Sequence, residues 1–124
     1  DVGADSTIEE EETIMGKIGE YLKKNHQYEI NLQEIADCFF LSREYISRRF
    51  KQEFNETITD YLTRIRVEKA KELLKNQHLK IYEIAYQVGY QNEKYFSKVF
   101  KKFVGCTPNE YRSSTLTTRR VNHG

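Results

Sequence analysis

The sequence predicts an all-α protein of about seven helices, arranged as two tandem helix-turn-helix subdomains joined by a long linker helix. Three observations carry this. Helix breakers are scarce, with one Pro and six Gly in 124 residues, while Lys, Glu, Leu and Ile are frequent. Apolar residues recur at helical spacing along successive segments. One pattern also occurs twice, about fifty residues apart. The first copy reads Leu32-x-x-Ile35-Ala36-x-x-Phe39, then Ser42-x-x-Tyr45-Ile46-Ser47-Arg48-x-Phe50-Lys51, then Thr57. The second reads Ile81-x-x-Ile84-Ala85-x-x-Val88-Gly89-Tyr90, then Asn92-x-x-Tyr95-Phe96-Ser97-Lys98-x-Phe100-Lys101, then Gly105 and Thr107. Each copy is a short apolar-periodic helix, a tight break, and a second helix with polar and basic residues on its outer side.

The elements follow in order. Residues 1–7 have no apolar pattern and read as a disordered lead or an expression remnant. Glu9 to Glu12 place four carboxylates at a helix start, where they complement the positive end of the dipole. Ile14, Ile18, Tyr21 and Leu22 give the first apolar stripe, ending near Asn25-His26. Leu32 to Cys38 form a short helix, Phe39-Phe40-Leu41 the turn, and Ser42 the N-cap of a helix through about Phe54, with Ile46, Phe50 and Phe54 inward. These make a first subdomain, 8–56. Thr57 caps the linker helix, 57–76, whose apolar positions include Ile58, Leu62, Ile65, Leu73 and Leu74, and Asn76-Gln77-His78 breaks it.

The second subdomain, 77–112, repeats the plan. Ile81 to Val88 form its first helix, and Gly89 is free to take positive φ at the turn. Asn92 to Val104 form its second helix. Thr107-Pro108 opens a last helix of one or two turns with Pro at the first helical position, and 113–124 read as a polar tail. Ala36 and Ala85 are small because the two helices of each unit cross there, and Ile46, Phe50, Phe96 and Phe100 are core. Tyr90, Phe103 and Tyr111 are expected inside as well.

Charge and cysteine usage bound the function. The formal net charge of +1 hides a dipole: residues 1–37 carry −7 and residues 38–124 carry +8, so the basic part holds both copies of the pattern. A polyanion suits that part, since each neutralised phosphate releases counterions. A solvated excess of charge without a partner accounts for it equally well. No apolar run approaches the length of a membrane span, and the acidic start has no secretory h-region, so a cytoplasmic protein is expected. Cys38 and Cys106 lie far apart without Cys/His clustering, the pattern of two reduced thiols rather than a zinc site or disulfide framework. His26, His78 and His123 are isolated, Ser47 and Ser97 have no neighbouring His, and no Gly-rich phosphate loop occurs. Glu68 and Glu72 have helical surface spacing that suits pairing with Lys71 and Lys75. No catalytic, metal or cofactor site is expected, and the chain does not read as an enzyme.

The stretch Arg66-Val67-x-x-Ala70-x-x-Leu73-Leu74, then Ile81-x-x-Ile84-Ala85-x-x-Val88-Gly89-Tyr90, then Tyr95-Phe96-x-x-x-Phe100-Lys101-Lys102-x-x-Gly105-x-Thr107-Pro108-x-x-Tyr111-Arg112 closely resembles the signature of AraC/XylS-family transcription regulators. Leu41-Ser42-x-x-Tyr45-Ile46-Ser47-Arg48-x-Phe50-Lys51 resembles that family's first helix-turn-helix. The resemblance covers roughly residues 14–112. It implies a seven-helix domain that binds double-stranded DNA, with two recognition helices in adjacent major grooves, acting in bacterial transcription regulation with RNA polymerase as a further partner. It also implies an accompanying sensory or receiver domain, as in a response regulator. The acidic lead and the start at Asp1 point to a fragment, and small stand-alone members of the family are the other possibility.

The residues fit such a role at particular positions. On the first recognition helix the outer side offers Arg43, Glu44, Ser47, Arg48 and Lys51. Arg suits guanine O6/N7 as a fork, Ser suits several bases, and Glu accepts from cytosine N4. By the resemblance, Glu44, Ser47 and Arg48 face the groove, although Glu44 equally suits a positive helix N-terminus. On the second helix the set is Asn92, Glu93, Lys94, Ser97 and Lys98. Lys98 takes the place of Arg48 as a point charge rather than a fork. Lys51, Lys101 and Lys102 suit phosphate. A linker helix of twenty residues spans about 30 Å, close to the ~34 Å between successive turns of major groove on one DNA face. The competing reading is a helical protein-interaction module that contacts RNA polymerase or a sensor domain without reading bases.

Overall fold

The computed structural model describes the backbone of residues 14–123 and the side chains of 14–115. The lead 1–7 and the carboxylates Glu9 to Glu12 lie outside the described residues. Seven helices and no strand occur among those described: α1 (14–24), α2 (Leu32–Phe39), α3 (Arg43–Phe54), α4 (Ile58–Leu74), α5 (Ile81–Gln87), α6 (Glu93–Val104) and α7 (Pro108–His123). The chain divides into two compact units, one ending at Leu62 and the other beginning at Thr63.

In the first unit, α1 turns Met15, Ile18 and Leu22 inward, joined by Ile35, Ala36, Ile46, Phe50 and Tyr61. Tyr21, expected on the stripe, is exposed and Met15 takes its place, a shift of the buried face by a fraction of a turn. Gly19 faces Phe54 and Tyr61. A Cβ there would meet the Phe54 ring at 3.2 Å and the Tyr61 hydroxyl at 3.3 Å, so glycine lets α1 lie close on them. Phe50 stacks on Phe54 at 4.3 Å between ring centroids, and Tyr61 makes edge-to-face contacts with both.

In the second unit, Val67, Ala70 and Leu74 of α4 meet Ile84, Ala85, Val88, Tyr90, Phe96 and Phe100, with Tyr111 packed against the cluster. Phe103, expected in this core, is 43% exposed. Phe96 and Phe100 fill the inward side of α6, and Phe103, on that side by helical period, stands in the last turn before Gly105, outside the buried cluster. Arg112 ties the unit together. Its Nε donates to the Leu74 carbonyl at 3.0 Å, and its Nη2 donates to the carbonyls of Asn76 and Leu79 at 3.1 and 2.9 Å.

The repeat persists at the level of single hydrogen bonds. In the first turn, Leu41 N donates to Ala36 O and Phe40 N to Asp37 O; in the second, Tyr90 N donates to Ala85 O and Gly89 N to Tyr86 O. Both are Schellman closures, which require a left-handed residue after the helix. Gly89 supplies it at φ 106°, whereas Phe40 supplies it at φ 57° while remaining 94% exposed. Ser42 Oγ accepts from Tyr45 N and Asn92 Oδ1 accepts from Tyr95 N, each at 3.0 Å. At the far ends, Asn55 at φ 60° and Gly105 at φ 101° terminate α3 and α6, and Thr57 and Thr107 cap the helices that follow. Glu110 returns the favour of the second cap by accepting from Thr107 N at 2.8 Å, and that bond holds its carboxyl below the usual carboxylate range.

Gly105 gives a stability test. A Cβ there would meet nothing within 4 Å, so substitution is opposed by backbone conformation alone. Gly105→Ala is expected to cost about 1–2 kcal/mol, the left-handed penalty for an L-residue, read from chemical denaturation midpoints. A neutral result would mean that α6 ends differently.

Two lengths differ from expectation. α4 has 17 residues, since Thr57 is its cap and the chain turns after Leu74; its length is about 25 Å. α7 continues to His123 rather than stopping after one or two turns, so 113–123 is helix instead of irregular tail. No Gly or Pro follows Pro108 before Gly124 to end it, and Thr115 Oγ1 folds back to the Tyr111 carbonyl at 3.0 Å.

Candidate nucleic-acid interface

The two second helices, α3 and α6, each have a buried side that fixes what the other side presents. On α3, Ile46 and Phe50 are fully buried, which leaves Arg43, Glu44, Ser47, Arg48 and Lys51 exposed. On α6, Phe96 and Phe100 are fully buried, and Glu93, Lys94, Lys98, Lys101 and Lys102 are exposed, with Asn92 just before the first turn. Ser97 is half-buried. Both helices begin at matched caps, so equivalent side chains start from equivalent backbone geometry.

The internal pairing of the cations separates two groups. Arg112 is spent on three carbonyls; Arg49 lies 3.9 Å from Glu53 and donates to Gln52; Lys71 pairs with Glu68 at 3.1 Å. Arg66 sits over the Tyr90 ring at 5.2 Å. Its guanidinium and the Thr63 side chain are hydrogen-bonded to the Tyr90 hydroxyl, whose pKa burial nevertheless pushes up. Lys101 lies near Glu110 and helps to hold that carboxyl down. Among the described residues, by contrast, Arg43, Lys51, Lys94, Lys98 and Lys102 have no ion pair or hydrogen bond from their side chains, and Arg48 meets only the Tyr45 ring. The exposed cations of α3 and α6 are therefore largely available to an anion, with no internal partner to displace.

A family profile described as a helix-turn-helix domain matches residues 35–114. The C-terminal domain of AraT, a response regulator from Geobacillus stearothermophilus, is 40% identical and superposes with a TM-score of 0.78 over 82% of this chain and 84% of that one. The chain belongs to the AraC-type helix-turn-helix family.

Two further likenesses bear on this AraC-type domain. The transcriptional regulatory protein HptR of Staphylococcus aureus is 33% identical over 104 residues, which are 84% of this chain and 41% of HptR. The chain thus spans less than half of that relative's length. The DNA-binding domain of AdpA, solved in complex with a target DNA, is 20% identical with a TM-score of 0.79, over 86% of this chain and 96% of that one, and shares the fold.

Within the domain, the outward positions expected from sequence are outward, with qualifications at three residues. Asn92 uses its side-chain oxygen as the α6 cap, leaving only its amide N–H groups for other partners. Ser97 is partly covered, and Lys101 shares its surroundings with Glu110. Tyr45 and Tyr95, part of the repeated pattern but given no site role by it, occupy the third residue of α3 and α6; Tyr95 is 59% exposed. The signal available was their i, i+3 spacing to Arg48 and Lys98. Tyr82 and Tyr86 are also exposed, on successive turns of α5. No group of three or more His, Cys, Asp or Glu residues able to hold a metal occurs among the described residues. Nor does any described helix have the length and apolarity to cross a membrane.

Proposed function

We propose that this domain binds double-stranded DNA sequence-specifically to regulate bacterial transcription, with α3 and α6 as recognition helices in adjacent major-groove segments. The observation that carries the proposal is the pair of matched helices whose exposed cations the fold leaves largely unpaired. The family supports the same reading, and the AdpA domain, solved on its target DNA, provides a relative of like fold. In this reading Glu44, Ser47 and Arg48 meet base edges from α3, and Lys94, Ser97 and Lys98 do so from α6. Arg43, Lys51, Asn92, Glu93, Lys101 and Lys102 border them, the lysines on phosphate. The similarity to a response-regulator C-terminal domain supports a role as the output end of a longer protein with a receiver or sensory domain; in this proposal that protein acts in the cytoplasm with RNA polymerase as a further partner.

A gel-shift titration against selected DNA, in excess nonspecific competitor, tests the proposal. Retained binding to the selected site supports it, and equal competition by any DNA defeats it in favour of a protein-interaction module. Within the site, Arg48→Ala is expected to weaken specific binding by about 1–3 kcal/mol and relax preference at one or two base pairs. Binding-site selection from a random pool reads this directly. An unchanged preference would remove Arg48 from the base-reading set.

A further inference from the structure

The two recognition helices carry the same tyrosine at the same place and use it differently. On α3, the Arg48 guanidinium carbon lies over the half-buried Tyr45 ring, 5.9 Å from its centroid. Tyr45 is anchored where the Ser42 cap closes the first turn, and its ring stands one helical turn before Arg48. On α6 the corresponding residues are Tyr95 and Lys98. Tyr95 meets Tyr90 edge-to-face, with ring centroids 5.8 Å apart, and Tyr90 is itself held by Arg66 and Thr63. Lys98 has no ring contact among the described residues.

We infer that Tyr45 is a specificity-determining positioning residue, which holds the Arg48 guanidinium so that it meets a base edge as an oriented fork. The inference rests on the proposed base-reading role of α3. An exposed arginine carries several rotatable bonds, and freezing them on binding is unfavourable. A ring beneath the guanidinium restricts those rotamers beforehand and still leaves the N–H edge free, because the cation meets the π face and not its own donors. Lysine on α6 lacks both the fork and the platform. Discrimination is therefore concentrated in the half-site read by α3, and α6 contributes more through charge.

The test measures, for each variant, the ratio of affinities between the preferred site and a site changed only at the pair that depends on Arg48. Tyr45→Leu keeps apolar bulk and removes the ring; Tyr45→Phe keeps the ring and removes the hydroxyl. Tyr45→Leu is expected to lower that ratio about two- to fivefold, the scale of an exposed cation–π contact, while ratios at pairs read by α6 stay unchanged. Tyr45→Phe is expected to keep the ratio, and Tyr45→Leu is expected to have no further effect once Arg48 is alanine. A loss of folded protein scales both affinities of a ratio alike and does not mimic this result. An unchanged ratio in Tyr45→Leu, an equal loss in Tyr45→Phe, or an additive loss in the double variant overturns the positioning role. If Arg48→Ala alone leaves every ratio unchanged, the base-reading assignment fails with it, so the two failures are told apart.

Discussion

Replacing Arg112 with alanine is expected to destabilise the domain by about 3 kcal/mol or more, because three charge-assisted hydrogen bonds are lost together. The guanidinium reaches from α7 to the carbonyls of Leu74, Asn76 and Leu79, which end α4 and form the loop into α5. A helix C-terminus leaves carbonyls without partners, and here one fork satisfies several at once. Two of these bonds are partly buried, so water replaces them imperfectly. Arg112→Lys is expected to recover only part of the loss, since an ammonium cannot span three acceptors in a plane. The damage should reach α6 indirectly, through the neighbouring Tyr111, whose ring meets Phe100 edge-on at 5.7 Å. Denaturant titration gives the free energies, and a loss below about 1 kcal/mol, at the level of ordinary surface pairs, would show that the loop is held by other means.

Inserting five base pairs between the two halves of a selected site is expected to abolish specific binding by one chain. The proposal places the two recognition helices on one DNA face, and half a helical turn sends the second groove to the opposite face. Base contacts worth about 1–3 kcal/mol each are forfeited by one helix, so affinity should fall by roughly two orders of magnitude or more. An insertion of ten base pairs is expected to fail as well. It restores the face but adds about 34 Å of DNA between the half-sites, which then no longer lie in the adjacent grooves that the proposal requires. Full affinity after either insertion, or an obligate palindrome bound by two chains, would sink the one-chain arrangement. Footprinting with a measured stoichiometry distinguishes these outcomes.

Much of this protein was legible in its sequence because the relevant physics is local. Ser42, Thr57 and Thr107 are caps whose hydroxyls reach backbone groups three residues away, and Pro108 begins a helix because its φ suits that position. Helical period alone placed Ile46 and Phe50, and Phe96 and Phe100, on the inner sides, and therefore Arg48 and Lys98 on the outer ones. Gly89 could be assigned its positive φ because the turn demands one and glycine adopts it freely. The same rule gave no warning of Phe40, which takes the left-handed conformation in the equivalent turn although its residue type disfavours it.

Partnership across distance was decided by the tertiary structure. Arg112 stands in the sequence only as the end of the family-like signature; its acceptors lie 33 to 38 residues earlier, and no periodicity encodes that meeting. Arg66 is drawn to Tyr90 and Arg49 to Glu53, which removes them from the available charge and leaves Arg48 facing outward over Tyr45. Which tyrosines and phenylalanines sit inside was likewise settled by neighbours: Tyr90 is covered, while Tyr21 and Phe103 are not. A sequence specifies the two sides of each helix through a period of 3.6 residues. Which side chains are spent on the fold, and which remain free for a ligand, depends on what the folded chain brings beside them.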